Sequence, residues 1–311
     1  MYDIIIAGGG PAGLTAAMYA ARAGKHVAVL ERAAAGGQIL NAALVENYPA
    51  LKRVSGADFA EALLAQAEAA GAETLYEEAL SAEKTDGGFR VKTDAAERAC
   101  RALILATGLT HRALGLPGEA ELVGAGVSYC AVCDGAFYRG RDVAVVGGGD
   151  TALQDALFLS NTCRKVTVLV RRDRLRGEAA RAGQLRRKPN VEFLFQHTVE
   201  GFVTGPDGAL AGLTVRDHVA DAVRTLAVDG LFLAVGQQPE SGAFAALAPT
   251  DAEGYFVTLA GEDAATGVPG VFAAGDCRTK SVRQLATAVG DGAAAALAAC
   301  RYLERGGPEY E

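Results

Sequence analysis

The sequence predicts an α/β protein of two related units, each a parallel sheet wound with helices, the second unit inserted in the first. Three observations carry this. Residues 2–13, YDIIIAGGGPAG, reappear as RDVAVVGGGDTA at 141–152, with an offset of 139 that carries Gly8 onto Gly147 and Gly10 onto Gly149. ALILATG at 102–108 is echoed by GLFLAVG at 230–236. The length, 311 residues, is roughly twice the ~100–200 of a single domain. Self-similarity at a fixed offset marks a duplicated unit. A further strand-plus-turn, GVFAAGD at 270–276, follows the second unit and leads into a helix-like segment from Gln284 to Leu303. The expected division is 1–112 with 243–311 for the first domain and 113–242 for the second, with paired linkers in the Gly/Pro-bearing stretches 115–118 and 236–242.

Half the residues are apolar and 22% are charged, the balance of a globular protein. Thirty basic against 37 acidic side chains give a net charge of −7, which argues against a general nucleic-acid binder. No apolar run reaches the ~18–20 residues that cross a bilayer. The N-terminus lacks the basic start and cleavage site of a secretory signal, so a cytoplasmic protein is expected. Of six cysteines only Cys130 and Cys133 are closely spaced. Without an export signal, that pattern reads as redox or metal chemistry rather than a disulfide framework.

The first unit opens on a strand-like run, Tyr2–Ala7, that enters Gly8-x-Gly10-Pro11-Ala12-Gly13 and then a helix. In such a turn the first glycine makes the bend, the second lets a pyrophosphate approach the backbone, and the third lets helix pack on strand. The helix N-terminus offers free N–H groups and a favourable dipole to the anion. The strand HVAVLER ends in Glu31, where a carboxylate suits ribose hydroxyls. These marks fit FAD and NAD equally. The fold class is thus two Rossmann-like dinucleotide-binding domains.

In the second unit the turn is Gly147-Gly148-Gly149-Asp150-Thr151-Ala152. The offset of 139 places Val170, not an acid, at the position of Glu31, and Arg171, Arg172 and Arg176 follow. A carboxylate there would repel a 2′-phosphate, whereas guanidinium groups bind it by charge-assisted, often bidentate bonds. The alternative is a solvated basic face, because 171–188 is arginine-rich throughout. The expected ligand is NADPH.

Between the two turns lies SYCAVCDG, with Cys130, Cys133 and Asp134. Half a zinc site would need two more soft ligands, and the four histidines, His26, His111, His197 and His218, are scattered singly; no metal is expected. Inert core thiols are another alternative. Redox chemistry accounts for the spacing: two intervening residues permit a reversible disulfide and a lowered thiol pKa. Asp134 supplies a nearby carboxylate able to move a proton. Cys100, Cys163, Cys277 and Cys300 read as small buried side chains.

These motifs together resemble the low-molecular-weight, bacterial-type thioredoxin reductases over essentially the whole chain. GGGPAG at 8–13, GGQ at 36–38, VENYP at 45–49, ATG at 106–108, CAVCDG at 130–135, GGGDTA at 147–152, RRDRLR at 171–176 and AAGD-x6-RQ at 273–284 fall in the family's order and spacing. The resemblance implies tightly bound, non-covalent FAD. It would be held by Gly8 to Gly13, by Glu31, Arg32, Gly37 and Gln38, and by Asn47, Thr107 and Gly108. Gly275 and the stretch Asp276 through Leu285, with Arg283 and Gln284, complete that set. It further implies NADPH held by Gly147, Gly149, Asp150, Thr151 and Ala152 with Arg171, Arg172 and Arg176. A homodimer, and thioredoxin or a thioredoxin-like protein as the disulfide partner, are also implied. By resemblance Cys133 faces the flavin, Cys130 attacks the partner, Asp134 is the acid/base, and the inserted domain rotates between two poses. Thioredoxin's potential near −270 mV is in reach of nicotinamide reductants. Val170 stands where the family usually has histidine, and Gly177 where alanine is common. The start at Met1, beside the first strand, is expected to leave no room for the thioredoxin-like region of larger relatives. Rival readings are a flavin enzyme with another electron donor or disulfide substrate, and a non-catalytic nucleotide-binding sensor.

Overall fold

Ile4, Ile5 and Ile6 are all fully buried, as in strands covered on both faces. They belong to β1 (Tyr2–Ala7), which turns into α1 (Pro11–Arg22) and returns as β2 (Val27–Leu30). β2 lies parallel to β1, Ile4 beside Val27 and Ala7 beside Leu30. Then come α2 (Gly56–Ala69), β3 (Glu73–Leu75), β4 (Ala79–Thr85), β5 (Gly88–Thr93) and β6 (Glu97–Leu105). Ser55 starts α2 by accepting a hydrogen bond from the Asp58 N–H at 3.0 Å, a side-chain N-cap. The sheet runs β3-β2-β1-β6-β5-β4. The computed structural model describes residues 1–42, 44–261 and 264–307.

β7 (Leu109–His111) leads into β8 (Val127–Ser128), α3 (Ala131–Asp134), β9 (Asp142–Val146), α4 (Asp150–Leu159), β10 (Lys165–Val170), α5 (Ala179–Arg186) and β11 (Val191–Phe195). An antiparallel trio follows, β12 (His197–Thr204), β13 (Leu210–Asp217) and β14 (Ala222–Ala227), and then β15 (Gly230–Leu233). The second parallel sheet has the order β11-β10-β9-β15-β8. β9–α4–β10 repeats β1–α1–β2, and β15 pairs with β9 as β6 pairs with β1. β16 (Gln237–Pro239) leads back. β17 (Val271–Ala273) joins β6 in parallel, Val271 beside Leu103, and α6 (Leu285–Glu304) ends the described chain apart from a short turn.

By internal contacts the chain divides into Met1–Thr110 with Gln238 onward, and His111–Gln237. The cuts fall at 110/111 and 237/238, two and five residues ahead of the boundaries read from the sequence. Both cuts lie in β7 and β16, which pair as a two-stranded ribbon. Two extended crossing segments satisfy each other's backbone groups; the second crossing falls within the expected stretch 236–242, whereas the first lies in β7, ahead of 115–118.

In the first unit α1 packs on α6 through small residues. Ala12, Ala16, Ala17 and Ala20 share a cluster with Ala288, Ala295, Ala296 and Ala299. A Cβ on Gly292 would lie 2.1 Å from the Ala12 carbonyl oxygen, so the helices meet closely where α1 begins. That contact fixes the α6 start beside the first glycine turn. In the second unit Ala131, between the paired cysteines, is buried with Ala152, Leu153, Ala156 and Leu159 of α4.

Candidate functional site

The first glycine turn is dictated by contact. Gly8 has φ +108°, and a Cβ there would lie 2.3 Å from the Ala106 carbonyl oxygen. Glycine alone relieves both the left-handed backbone and the clash. A Cβ on Gly13 would lie 1.8 Å from the Gly8 oxygen, whereas one on Gly10 would meet nothing closer than the Gly36 oxygen at 4.0 Å. Thus Gly8 and Gly13 close the turn against the protein, and Gly10 leaves its open side to a ligand. Gly10 caps α1, with Pro11 as its first residue and Ala12 buried behind it, a start that needs no N–H at that position.

Glu31 sits beside this turn. Its carboxylate accepts hydrogen bonds from the Gly9 N–H at 2.8 Å and the Ala33 N–H at 2.9 Å. Each oxygen keeps a lone pair for a hydroxyl donor. The chain after β2 returns to the same loop. The Gly36 N–H donates to the Gly9 oxygen at 2.7 Å, and Gly37 lies so close that its Cβ would be 3.3 Å from the Gly10 Cα. Gln38 reaches the Leu109 oxygen at 3.5 Å. Arg32 points elsewhere, pairing with Glu240 at 3.6 Å and Glu78 at 4.0 Å.

The C-terminal segment reaches the same place. A Cβ on Gly275 would stand 2.8 Å from the Ala12 Cβ. Gln284 caps α6 in a reciprocal box with Thr287, and its Oε1 accepts from Asn47 Nδ2 at 3.3 Å. Leu285 packs beside Leu14, Phe59 and Leu63. Arg283 lies over the Tyr255 ring at 4.1 Å and donates to the Asp276 oxygen at 3.3 Å. Thr107 Oγ1 and Asp276 Oδ1 are buried without a hydrogen-bond partner. Lys280 Nζ lies 2.9 Å from Asp276 Oδ1 as an ion pair, without hydrogen-bond alignment. Buried polar atoms are seldom left so. With the open faces of Gly10 and Gly108, these two atoms fit a dinucleotide with a polyhydroxyl chain, as FAD has.

The second turn repeats the first. Gly147 has φ +150° and faces the Ala234 oxygen, 2.5 Å from where a Cβ would be. Gly149 caps α4 with nothing within 4 Å of its missing Cβ, and Ala152 is fully buried. Val170 is buried, and its Cγ1 would stand 3.0 Å from a Cβ on Gly148. The Arg176 and Gly177 N–H groups donate to the Gly148 oxygen at 2.7 and 3.1 Å, and the Glu178 N–H donates to Asp150 Oδ1 at 2.8 Å. The arginine loop is therefore tied to the glycine turn, with Arg171, Arg172, Arg176 and Thr151 exposed. That cationic edge, with the open side of Gly149, fits a phosphorylated dinucleotide.

Cys130 and Cys133 form a disulfide at the start of α3. The Cys133 N–H donates to Cys130 Sγ at 3.2 Å. Asp134 follows at once, and its Oδ2 accepts from Ser128 Oγ at 2.6 Å. Burial raises the Asp134 pKa above the usual carboxylate range, and the Ser128 bond pulls it partly back. Ser128 Oγ also accepts the Cys130 N–H at 3.0 Å, so one hydroxyl ties the acid to the first cysteine. Sequence reasoning did not select Ser128; its signal was only a hydroxyl two residues ahead of the pair. The remaining cysteines, Cys100, Cys163, Cys277 and Cys300, are buried. Among the described residues no group of three or more His, Cys, Asp or Glu could hold a metal ion.

The profile of the pyridine nucleotide-disulphide oxidoreductase family matches residues 2–292. The chain is 43% identical over 306 residues to a thioredoxin reductase of Listeria innocua, covering 98% of this chain and 94% of the relative. It is 42% identical to the thioredoxin reductase of Treponema pallidum, covering 97% of each. The crystal structure of a Streptococcus pyogenes thioredoxin reductase superposes with a TM-score of 0.92 at 40% identity, over 98% of this chain and 99% of that one. With its two glycine turns and its disulfide in the family's order, the chain belongs to the pyridine nucleotide-disulphide oxidoreductases and, within them, to the bacterial-type thioredoxin reductases.

Proposed function

We propose that the chain reduces the disulfide of thioredoxin or a thioredoxin-like protein with NADPH, through FAD and the Cys130–Cys133 pair, as a homodimer in the cytoplasm. The observation that carries the reading is the disulfide at the head of α3, with a buried carboxyl beside it held by Ser128. Gly8 to Gly13, Glu31, Arg32, Gly37, Gln38, Asn47, Thr107, Gly108, Gly275, Asp276 and Arg283 to Leu285 hold the flavin dinucleotide, with Arg32 also paired to Glu78 and Glu240. Gly147, Gly149, Asp150, Thr151 and Ala152 hold the NADPH pyrophosphate side, and Arg171, Arg172 and Arg176 its 2′-phosphate. Bound by these residues, FAD would supply the electron pair that opens the disulfide, with NADPH as the reductant.

The chain's own residues do the rest. Cys133 is the sulfur on the flavin side, and Cys130 is the attacking thiol. The Cys133 N–H already aimed at Cys130 Sγ favours its thiolate. Cys130 Sγ bonds to one sulfur of the partner disulfide, and the other sulfur leaves and takes a proton. Cys133 Sγ then attacks Cys130 Sγ, the partner leaves as a dithiol, and the internal disulfide reforms. Two electrons pass to the partner, with the Asp134 carboxyl giving and retaking a proton. No helix among the described residues is long and apolar enough to cross a membrane.

The test is an anaerobic titration followed by turnover. The purified protein should be yellow with about one FAD per chain, bleach with NADPH far more readily than with NADH, and then reduce thioredoxin. A colourless protein that cannot be reconstituted with FAD, or equal efficiency with both coenzymes, would sink the cofactor assignments.

A further inference from the structure

Lys280 is an ammonium that donates two hydrogen bonds and makes a third, purely ionic contact. Its Nζ lies 2.9 Å from Asp276 Oδ1, 3.1 Å from Asp291 Oδ2 and 3.3 Å from Thr287 Oγ1, and its side chain is only 10% exposed. A lysine so enclosed persists only when paired. Its partners come from two places. Asp276 belongs to the turn after β17, while Thr287 and Asp291 lie on the first turns of α6. Asp291 strengthens the link from its own side: Oδ2 accepts the Gly275 N–H at 3.1 Å and Oδ1 accepts from Arg278 Nη1 at 2.8 Å. Two carboxylates and two cations thus balance within one cluster.

Asp276 gains orientation from this cluster without losing its function. Its Oδ1 is ion-paired yet accepts no hydrogen bond, so it stays open to a donor. A carboxylate that binds a ligand works best when a neighbouring charge fixes its direction beforehand. Thr287 is also the reciprocal partner of Gln284 in the α6 cap, so the same ammonium holds the second flavin-side segment. We propose that Lys280 is a positioning residue of the flavin site, clamping the Asp276 turn to the α6 N-terminus so that the Asp276 carboxylate meets the flavin dinucleotide already oriented. The inference rests on Asp276 being a flavin-binding residue, as assigned above.

The test is FAD titration into full-length apoprotein, followed by flavin fluorescence, for Lys280→Met, Lys280→Arg, Asp276→Asn and the Lys280→Met/Asp276→Asn double variant. Losing one charged contact should weaken FAD binding about tenfold or more in Asp276→Asn. Lys280→Met should approach that loss, and Lys280→Arg should recover most of it. Because the lysine acts through the aspartate, the double variant should bind no worse than the weaker single one. A purely structural lysine would instead give losses that multiply and a lower unfolding midpoint of the apoprotein; that result overturns the inference. Normal FAD affinity in Lys280→Met beside a weakened Asp276→Asn would overturn the inference alone. Normal affinity in Asp276→Asn would remove the Asp276 assignment, and the inference with it.

Discussion

The two glycine turns share one backbone, and the difference between them lies at the end of the second strand of each unit. In the first, the loop after β2 docks on the Gly9 oxygen through the Gly36 N–H at 2.7 Å. In the second, the loop after β10 docks on the equivalent Gly148 oxygen through the Arg176 N–H, also at 2.7 Å. The anchor is the same, but the first delivers glycines and Gln38, and the second delivers arginines. Glu31 spends its carboxylate on the Gly9 N–H; Val170, at the matching place, packs a methyl toward Gly148. On the proposed assignment, a shared scaffold would fix where each pyrophosphate lies, and a few residues beyond it would set which ribose is accepted.

Grafting the acid onto the second turn should erase this difference most strongly. Val170→Glu should place a carboxylate over the arginine edge, as Glu31 stands beside its own turn. That carboxylate would face the NADPH 2′-phosphate, and like charges facing one another cost several kcal/mol, so kcat/KM with NADPH should fall roughly hundredfold or more while NADH use rises. Arg171→Ala and Arg176→Ala should each raise the Michaelis constant for NADPH about ten- to hundredfold and leave that for NADH nearly unchanged. Steady-state kinetics with both coenzymes decide it; a uniform loss would mean that the arginines only solvate a surface.

A second graft exchanges the third residue of each turn. Gly13→Ala forces a Cβ to within 1.8 Å of the Gly8 oxygen, so it should cost about 1–3 kcal/mol and purify depleted of FAD. Ala152→Gly, the reverse change in the other unit, should cost about 1 kcal/mol and leave the flavin content unchanged. Absorbance ratios and unfolding midpoints of the two variants check the asymmetry.

Both turns, the arginine run and the cysteine pair were legible because each is a local pattern whose spacing carries its physics. What escaped depends on contacts that spacing does not encode. Ser128 reaches Asp134 across a turn six residues long, and Asp291 reaches Gly275 from a helix sixteen residues on. The stretch 236–242 marks one crossing between units, but the other lies in β7, where no glycine or proline signals it and only its pairing with β16 shows it. Glu31 was read from its position after the strand; its bonds to the Gly9 and Ala33 N–H groups emerge only in three dimensions.

A smaller effect separates the two turn helices. α1 carries buried Ala16 where α4 carries Asp155, whose pKa burial alone pushes up to about 7. A carboxyl raised in this way costs stability once the pH exceeds the unfolded value of ~3.9, and the cost is complete above the folded value. Asp155→Ala should therefore unfold at a higher temperature than the wild type at pH 8. The gap should narrow as the pH falls through 7 and shrink near pH 4 to a difference in helix propensity. A gap independent of pH would show that the carboxyl is not strained by burial.

Electrons are proposed to leave through Cys130 and Cys133 in distinct roles. The direct measurement is mixed-disulfide trapping with a thioredoxin lacking its resolving cysteine, on Cys133→Ser and Cys130→Ser proteins that NADPH still bleaches. An adduct through Cys130 is expected in Cys133→Ser, little adduct in Cys130→Ser, and no thioredoxin turnover in either. Trapping chiefly through Cys133 would reverse the roles, and full disulfide reductase activity in both variants would contradict the mechanism.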